Sequence, residues 1–360
     1  MRHFKRILVC ILIFVMAFSL VACGSNNSSS NKSENNGVQN SKDAKQMRKV
    51  IIDTDTGGDD AAALIIAAKD EYTDILGVTV AAGNVNLDQA ADNALMTLEM
   101  AGCNAPVYKG ASSTYTSNPR KISSVFGNDG MGDHDMIHPT RKVEKESAVD
   151  FIIKTVKENP DEVEIIALGP VTNIALAFDK DPDTMKHVKK YWSMGTTGFG
   201  PGNVSPVAEF NVYHDVEAYK VFVDSGVPIT AIGFDMLAED TDLNKADLDE
   251  FEKKGGLFEY VAKALSGLVK FNKEFRGNEV ANIPDAIAMA CVLWDEYMTE
   301  TKACHASVMT KNDETYGQVI LYQKDYGYDS GIKFDDYSFH VVTKTASETF
   351  KSKFIKLLEK

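Results

Sequence analysis

The chain has 360 residues, and its 52 acidic against 38 basic side chains give a formal net charge of −14 at pH 7. Because so acidic a protein is repelled by phosphate backbones, we expect no nucleic-acid partner and look for a small neutral or cationic ligand or a metal ion. The length suffices for one large α/β domain or two small ones. The five cysteines are too scattered for a disulfide framework or a zinc site, although a single disulfide stays open.

The first 22 residues have the pattern of a secretory leader. Three basic side chains precede an uncharged apolar run at 7–22, which is short for a membrane-spanning helix and suits a signal peptide. The run ends in Leu-Val-Ala-Cys, which resembles a bacterial lipobox, a signal whose cysteine becomes the lipidated N-terminus. We therefore predict a lipoprotein signal peptide at 1–22 and lipidation of Cys23. The domain would then lie outside the cytoplasm, held at a bacterial cell membrane by its lipid anchor alone.

A polar segment follows the leader. Residues 23–46 are rich in Asn, Ser, Gly and Lys and carry almost no apolar side chain, so they cannot bury a core and are predicted to be a flexible tether. The chain beyond residue 46 shows no internal repeat and no second linker. We therefore predict a single folded domain at 47–360.

Strand-like and helix-like segments alternate through most of this domain. Short apolar runs predict strands at 49–53, 75–81, 163–167, 191–194 and 229–232. Longer amphipathic runs predict helices at 61–69, 87–101, 147–158, 172–178 and 215–225. This alternation predicts an α/β fold with a doubly wound, mostly parallel central sheet. The C-terminal third adds helices at 246–254, 257–275 and 285–294, strands near 303–309, 317–323 and 338–342, and a last helix.

The most informative stretch is the acidic turn after the first predicted strand. Asp53, Asp55, Asp59 and Asp60 stand within eight residues, and two glycines between them let the backbone turn sharply. Crowded carboxylates at the end of a strand repel one another, and a hard divalent cation with oxygen ligands offsets that repulsion. The alternative is an acidic surface turn whose aspartates only cap the next helix.

Polar groups also follow other predicted strands, at the sheet edge where ligands bind in such folds. Asn84 follows the second strand, and a Gly-Pro-Val-Thr-Asn turn at 169–173 follows the third, where a backbone carbonyl could face the cation. In an extended segment at 203–211, Glu209 and Asn211 would project to the same side. Taken singly, each of these groups is equally well a simple turn residue or helix cap.

These stretches, in this order, resemble one family, the calcium-dependent nucleoside hydrolases of the inosine-uridine-preferring type. The most specific matches are Asp-Thr-Asp-x-Gly-x-Asp-Asp at 53–60 and Asn-Val-x-Pro-x-Ala-Glu-Phe-Asn at 203–211. Further matches are Gly-Asn-Val at 83–85, Gly-Pro-Val-Thr-Asn-Ile-Ala at 169–175 and Asp-Ala-Ile-Ala at 285–288. The resemblance covers nearly the whole predicted domain. It implies an enzyme that hydrolyses the N-glycosidic bond of ribonucleosides to free base and ribose.

The resemblance also implies a metal site. The Ca²⁺ ligands would be Asp55, Asp60, the backbone carbonyl of Thr172 and Asp285, a set of hard oxygens that suits calcium rather than zinc. Asp55 would in addition take the proton from a calcium-bound water and so activate the nucleophile. Asp53 would support the site from behind.

The same comparison implies a ribose-binding set. Asp59 and Asn211 would hold the 2′- and 3′-hydroxyls, and Asn203 and Glu209 would hold the 5′-hydroxyl. Asn84 would lie near the water and the 2′-hydroxyl. Carboxylates and amide oxygens around the sugar would stabilise the positive charge that develops on the ribosyl ring as the bond breaks.

The base-binding end departs from the family pattern. Many members have a histidine directly before the late metal-binding aspartate, where this chain has Pro284, and a second common histidine is absent from the loop at 123–127. The acid for the leaving base and the preference for purines or pyrimidines therefore stay open. Candidates for stacking on the base or protonating it are Phe126, Phe199, Tyr213, Phe275, His134 and Arg276.

Two other functions are compatible with these residues. A lipid-anchored chain without the usual histidines could bind nucleosides or ribose with little turnover. The segment 52–56 also resembles the nucleophile strand of haloacid-dehalogenase-like phosphatases, but the second acidic pair comes too early in the chain for that fold. Assembly into a homo-oligomer is left open by the sequence.

Overall fold

The computed structural model of the chain describes residues 46–118, 121–323, 334 and 336–360. The predicted signal peptide at 1–22, Cys23 and the predicted tether up to residue 45 lie outside the described residues. None of the helices in the described ranges is both long and apolar enough to cross a membrane.

Strands and helices alternate along the described chain, as the sequence predicts. The strands are β1 (Arg48–Thr54), β2 (Thr73–Val80), β3 (Val107–Lys109), β4 (Val163–Ala167), β5 (Lys190–Met194), β6 (Ile229–Ile232), β7 (Leu243–Asn244), β8 (Val280–Ala281), β9 (Met298–Val308), β10 (Val319–Gln323) and β11 (Phe339–Thr345). The helices are α1 (Gly58–Lys69), α2 (Leu87–Met100), α3 (Ala148–Glu158), α4 (Thr172–Lys180), α5 (Pro182–Met185), α6 (Phe210–His214), α7 (Val216–Asp224), α8 (Lys245–Lys254), α9 (Gly256–Arg276), α10 (Pro284–Leu293) and α11 (Phe350–Leu358). The sequence did not predict the short elements β3, β7, β8, α5 and α6.

Among the described strands, nine form one sheet in the order β10-β9-β11-β6-β5-β4-β1-β2-β3. The pairings from β3 across to β11 are parallel, and β9 and β10 join the far edge antiparallel. From β1 the chain winds outward through β2 and β3, and then outward on the other side through β4, β5 and β6. The predicted doubly wound, mostly parallel sheet is therefore confirmed. Strands β7 and β8 form a separate antiparallel pair.

Alternate residues of the central strand face two hydrophobic cores on opposite sides of the sheet. In β1, Val50 and Ile52 belong to the core that includes α1, α2 and α8 to α11, whereas Ile51 belongs to the core that includes α3 to α7. All three side chains are completely buried. Burial on both faces explains why β1 is a continuous apolar run and does not alternate with polar residues.

The turn between β1 and α1 requires glycine. A Cβ on Gly58 would lie 2.4 Å from the carbonyl oxygen of Ala264 in α9 and 3.1 Å from the ring of Phe126. Phe126 belongs to the long segment at 110–141, which has no helix among its described residues. The acidic turn is therefore enclosed between α9 and this segment.

The segment that contains Asn211 differs from the prediction. The sequence predicts an extended segment, but Phe210–His214 form α6, and Glu209 is its N-cap. The Glu209 carboxylate accepts hydrogen bonds from the backbone N–H groups of Asn211 at 2.9 Å and Val212 at 3.2 Å. Because a carboxylate that accepts from the first backbone amides stabilises a helix start, Glu209 stabilises the start of α6.

Candidate active site

One cavity opens at the carboxyl edge of the sheet, where β1 and β4 end. Its polar lining contains most of the residues that the sequence singles out, namely Asp55, Asp59, Asn84, Asn203, Glu209, Asn211 and Asp285. Asp60 and Thr172 are fully buried and do not line the cavity. The structure thus brings together side chains from distant stretches of the chain.

Three buried carboxylates form the centre of the acidic side of the cavity. One oxygen from each of Asp59, Asp60 and Asp285 lies within 4.8 Å of the others. Asp59 and Asp60 stand in the first turn of α1, and Asp285 stands in the first turn of α10. Helices α1 and α10 pack against each other, so their N-termini, which favour negative charge, meet at this point.

Burial raises the pKa of all three carboxyl groups, and the charges of neighbouring carboxylates raise those of Asp59 and Asp285 further. Desolvation is the largest cause in each case. The charge of Asp60 raises the pKa of Asp59 further, and the charges of Asp59, Asp60 and Asp55 raise that of Asp285. A divalent cation would compensate these charges, and a donor set made only of oxygens is the kind that Ca²⁺ and Mg²⁺ prefer. The residues present therefore fit a hard divalent cation.

Asp60 lies beneath the cavity in a fixed orientation. Thr54 Oγ1 donates a hydrogen bond to its Oδ1 at 2.5 Å, and the Gly57 amide donates to its Oδ2 at 2.9 Å. Asn84 Nδ2 also donates to Oδ2, at 3.1 Å. These donors stabilise the ionised form of Asp60 and partly oppose the effect of burial.

Asp55 is held just as closely, by backbone groups. The backbone N–H of Asn84 donates a hydrogen bond to Asp55 Oδ2 at 2.6 Å. A Cβ on Gly83 would lie 2.0 Å from Asp55 Oδ2, and one on Gly169 would lie 2.6 Å from Oδ1. Because any side chain at these two glycines would displace the carboxylate, the glycines that follow β2 and β4 are a condition for this position of Asp55.

The structure places Thr172, the predicted backbone ligand, away from the cavity lining. Thr172 starts α4, and its hydroxyl donates to Asp215 Oδ2 at 2.5 Å, away from the cavity lining. Leu168, the first residue after β4, lines the cavity. Its carbonyl oxygen accepts a hydrogen bond from Asn211 Nδ2 at 2.6 Å. Leu168 is therefore the residue of this turn that lines the cavity.

The polar groups contributed by the 203–211 segment are oriented by their own hydrogen bonds. Asn211 Nδ2 donates to the carbonyls of Leu168 at 2.6 Å and Met194 at 3.2 Å, which leaves Oδ1 as the amide atom for a ligand. Asn203 Oδ1 is buried, with no hydrogen-bond partner in the part of the chain that the structure describes. Burial raises the pKa of Glu209 to about 7.

Asp53 lies behind the cavity, where the sequence predicts a supporting residue. Thr79 Oγ1 and Asn173 Nδ2 donate to its Oδ1, at 2.6 and 2.8 Å. Asp53 therefore joins β1 to β2 and to the first turn of α4 underneath the acidic turn.

The other side of the cavity is apolar and aromatic. Of the four predicted stacking residues only Phe126 lines it, whereas Phe199, Tyr213 and Phe275 do not and are 46%, 38% and 67% exposed. Lining residues that the sequence did not single out are Val125, Phe210, Phe234, Leu268 and Phe271. Leu268 and Phe271 are one turn apart on α9, and this spacing is the signal in the sequence that could have found them.

The two predicted polar candidates for the base end have different positions. His134 is exposed, does not line the cavity, and its Nε2 lies 2.9 Å from Ser266 Oγ. Arg276, the last residue of α9, lines the cavity. Pro284 also lines it, directly before Asp285, and supplies no proton.

The family model for inosine-uridine preferring nucleoside hydrolases matches residues 50–352, so the chain belongs to this family. Uridine nucleosidase 1 of Arabidopsis thaliana is 37% identical over 255 residues, which are 70% of this chain and 73% of that protein. Among solved structures, a plant nucleoside hydrolase superposes with a TM-score of 0.79 at 28% identity, and the match covers 86% of this chain and 98% of the other. A purine-preferring ribonucleoside hydrolase from Gardnerella vaginalis superposes with a TM-score of 0.77 at 26% identity, with the same two coverages.

These comparisons confirm the family and the fold that the sequence predicts. The chain is an enzyme, a nucleoside hydrolase that acts on ribonucleosides. They count against a binding lipoprotein without turnover and give no support to a phosphatase. One of these related proteins is named a uridine nucleosidase and another a purine-preferring ribonucleoside hydrolase. The base preference of this chain therefore does not follow from the comparisons.

The raised pKa of Asp285 predicts how its replacement affects the metal-free protein. Because the folded state binds this proton more tightly than the unfolded state, the contribution of Asp285 to stability falls as pH rises from its unfolded toward its folded pKa. In EDTA, Asp285→Asn should therefore be more stable than the wild type at pH 8, by about 1–3 kcal/mol in urea unfolding, with a smaller difference at pH 5. A divalent cation held by these carboxylates should reverse the order, since it stabilises more strongly the protein that binds it more tightly.

The matched control for this experiment is Asp183→Asn, whose native side chain is 93% exposed. It should follow the wild type at both pH values and with the divalent cation. A metal-free Asp285→Asn protein that is less stable than the wild type at pH 8 would contradict the repulsion argument.

Proposed function

We propose that the chain cleaves the N-glycosidic bond of ribonucleosides with Asp55 as general base and Ca²⁺ as its metal ion. The observation that carries this proposal is the division of one cavity into an acidic, amide-rich side and an aromatic side. Ribose carries hydroxyls and develops positive charge during the reaction, whereas the base is flat and largely apolar on its faces. The two sides of the cavity match the two halves of a nucleoside.

The residues proposed to hold the cation are Asp55, Asp60 and Asp285, with the backbone oxygen of Leu168 in place of Thr172. This set contains neither nitrogen nor sulfur, which favours Ca²⁺ over zinc. When bound, such a cation acts as a Lewis acid that makes a water more acidic and holds the sugar hydroxyls.

Asp55 is proposed to take a proton from the attacking water. Its carboxylate is fixed by the Asn84 amide and enclosed by Gly83 and Gly169, so it needs no reorientation before the reaction. As the water oxygen bonds to C1′, the bond from C1′ to the base nitrogen breaks and its electron pair leaves with the base. The water proton passes to Asp55.

Asp59, Asn211, Asn203 and Glu209 are proposed to bind the sugar. Asn211 Oδ1 and Asn203 Oδ1 are acceptors for hydroxyl groups, since the Nδ2 of Asn211 is occupied by carbonyls and the Oδ1 of Asn203 is buried without a described partner. The negative carboxylates beside the ring stabilise the oxocarbenium-like charge at the transition state.

Removing the metal ion and replacing the general base Asp55 should test the two proposed parts of this mechanism separately. With a panel of purine and pyrimidine nucleosides, release of free ribose should stop in EDTA and return on addition of Ca²⁺. Asp55→Asn should lower kcat by at least about 10³-fold, because it removes a general base whose contribution is typically 10²–10⁴-fold together with a ligand charge. Asp183→Asn in α5, whose native side chain is 93% exposed, is the control and should retain full activity. Activity that survives EDTA would contradict the requirement for a metal ion. Full activity in Asp55→Asn would contradict the role of Asp55 as general base.

The proposed contact between Glu209 and the 5′-hydroxyl can be measured with a substrate that lacks it. Wild-type enzyme should prefer adenosine or inosine over the 5′-deoxy analogue by about tenfold in kcat/KM, the effect of one hydrogen bond to a charged group. In Glu209→Gln the ratio should fall toward one, because the carboxylate acceptor is lost. If Glu209→Gln keeps the wild-type ratio of kcat/KM between the nucleoside and its 5′-deoxy analogue, another residue binds the 5′-hydroxyl.

We also propose that the protein is a lipoprotein anchored through Cys23 outside the cytoplasm. The support is the leader pattern at 1–22 and its Leu-Val-Ala-Cys end. In a bacterial host, the wild-type chain should incorporate labelled palmitate and sediment with membranes, and Cys23→Ala should incorporate none. Equal labelling of both proteins would show that this cysteine is not the lipidated residue.

A further inference from the structure

Asn282 is a polar group of the cavity that the proposed function does not use. It lies in the connection between β8 and α10, three residues before Asp285, and lines the cavity together with Pro284 and Asp285. Its side chain contacts Asn272 of α9, the helix that supplies the apolar lining residues Leu268 and Phe271. Asn282 therefore lies between the acidic side and the aromatic side.

The two-residue strands β7 and β8 hold Asn282 in place. Leu243 pairs with Ala281 in antiparallel register, so the residues before and after this pair, Asp242 and Asn282, lie opposite each other. Asn282 Nδ2 donates a hydrogen bond to Asp242 Oδ1 at 2.6 Å. From the other side, Asn272 Nδ2 donates to Asn282 Oδ1 at 3.2 Å.

This network also determines which atom of the Asn282 side-chain amide is the oxygen and which is the nitrogen. Asn272 Nδ2 donates at 2.9 Å to the carbonyl of Val280, which can only accept, so this atom of Asn272 is the nitrogen. Its other proton therefore faces the oxygen of Asn282, and the nitrogen of Asn282 faces Asp242. An amide has two protons on nitrogen and two lone pairs on oxygen, so one of each is left for a ligand.

We propose that Asn282 contacts the base of the nucleoside and stabilises it as it leaves. This inference rests on the proposed function and assigns a residue to the end of the site where Pro284 stands in place of an acid. Purines and pyrimidines carry hydrogen-bond acceptors and donors side by side on their edges, and one amide can pair with both. The N–H of Asn282 strengthens its bond to the base as negative charge builds up on the leaving group. Asn272 and Asp242 act through Asn282 as positioning residues.

The test compares two leaving groups on the same sugar. Inosine and uridine present a base edge to Asn282, whereas 4-nitrophenyl ribofuranoside presents a good leaving group without that edge. Asn282→Ala should lower kcat/KM for both nucleosides by about tenfold or more, the effect of one lost hydrogen bond, and change the value for the nitrophenyl substrate by less than about twofold. The nitrophenyl activity also reports that the variant is folded with its sugar-binding side intact.

A second variant and a matched control make the result specific. Asp242→Asn, which no longer dictates the orientation of the Asn282 amide, should produce a smaller loss with the nucleosides and none with the nitrophenyl substrate. Asn278→Ala, at an exposed asparagine in the neighbouring connection between α9 and β8, should leave the rates with all three substrates unchanged. An equal loss on all substrates in Asn282→Ala, or no loss on any, would overturn the role of Asn282. A wild-type enzyme that cleaves the nitrophenyl substrate but no nucleoside would overturn the proposed function instead.

Discussion

The active site depends on keeping like charges together inside the protein. Asp59, Asp60 and Asp285 are buried within 4.8 Å of one another, where a low dielectric strengthens their repulsion. The fold reduces this cost by placing them at the N-termini of α1 and α10 and by directing the donors of Thr54 and Gly57 at Asp60. A cation bound at this cluster would offset the repulsion that remains, and its binding would then be coupled to folding stability.

The sheet topology decides where these charges meet the substrate. The chain leaves β1 for one edge of the sheet and later returns to β4 to build the other, so β1 and β4 are neighbours whose following loops diverge. Ligands in open α/β sheets bind in the crevice at such a switch point. Asp55 follows β1 and Leu168 follows β4, and both line the cavity. The same crossing places Gly169 against the Asp55 carboxylate.

The polar side of the cavity could be predicted from the sequence because its residues stand in short, contiguous motifs. The family resemblance implies Thr172 as the backbone ligand, and the end of β4 at Ala167 is as the sequence predicts. Only the structure shows that Leu168 lines the cavity whereas Thr172 begins α4 away from it. The aromatic wall could be predicted only at Phe126, since which aromatic residue faces the cavity depends on tertiary packing. Strands β7 and β8 are too short for any periodicity, so the position of Asn282 could not be foreseen.

The two sides of the cavity come from different parts of the chain. Except for Asp285, the side chains proposed to serve the sugar and the metal precede residue 212. Most of the lining opposite them comes from residues 234–284. Substitutions in that later region can reshape the base pocket while the reacting carboxylates keep their supports in β1, β2 and β4. The architecture therefore separates the chemistry from the choice of substrate, and the latter can evolve or be engineered without rebuilding the former.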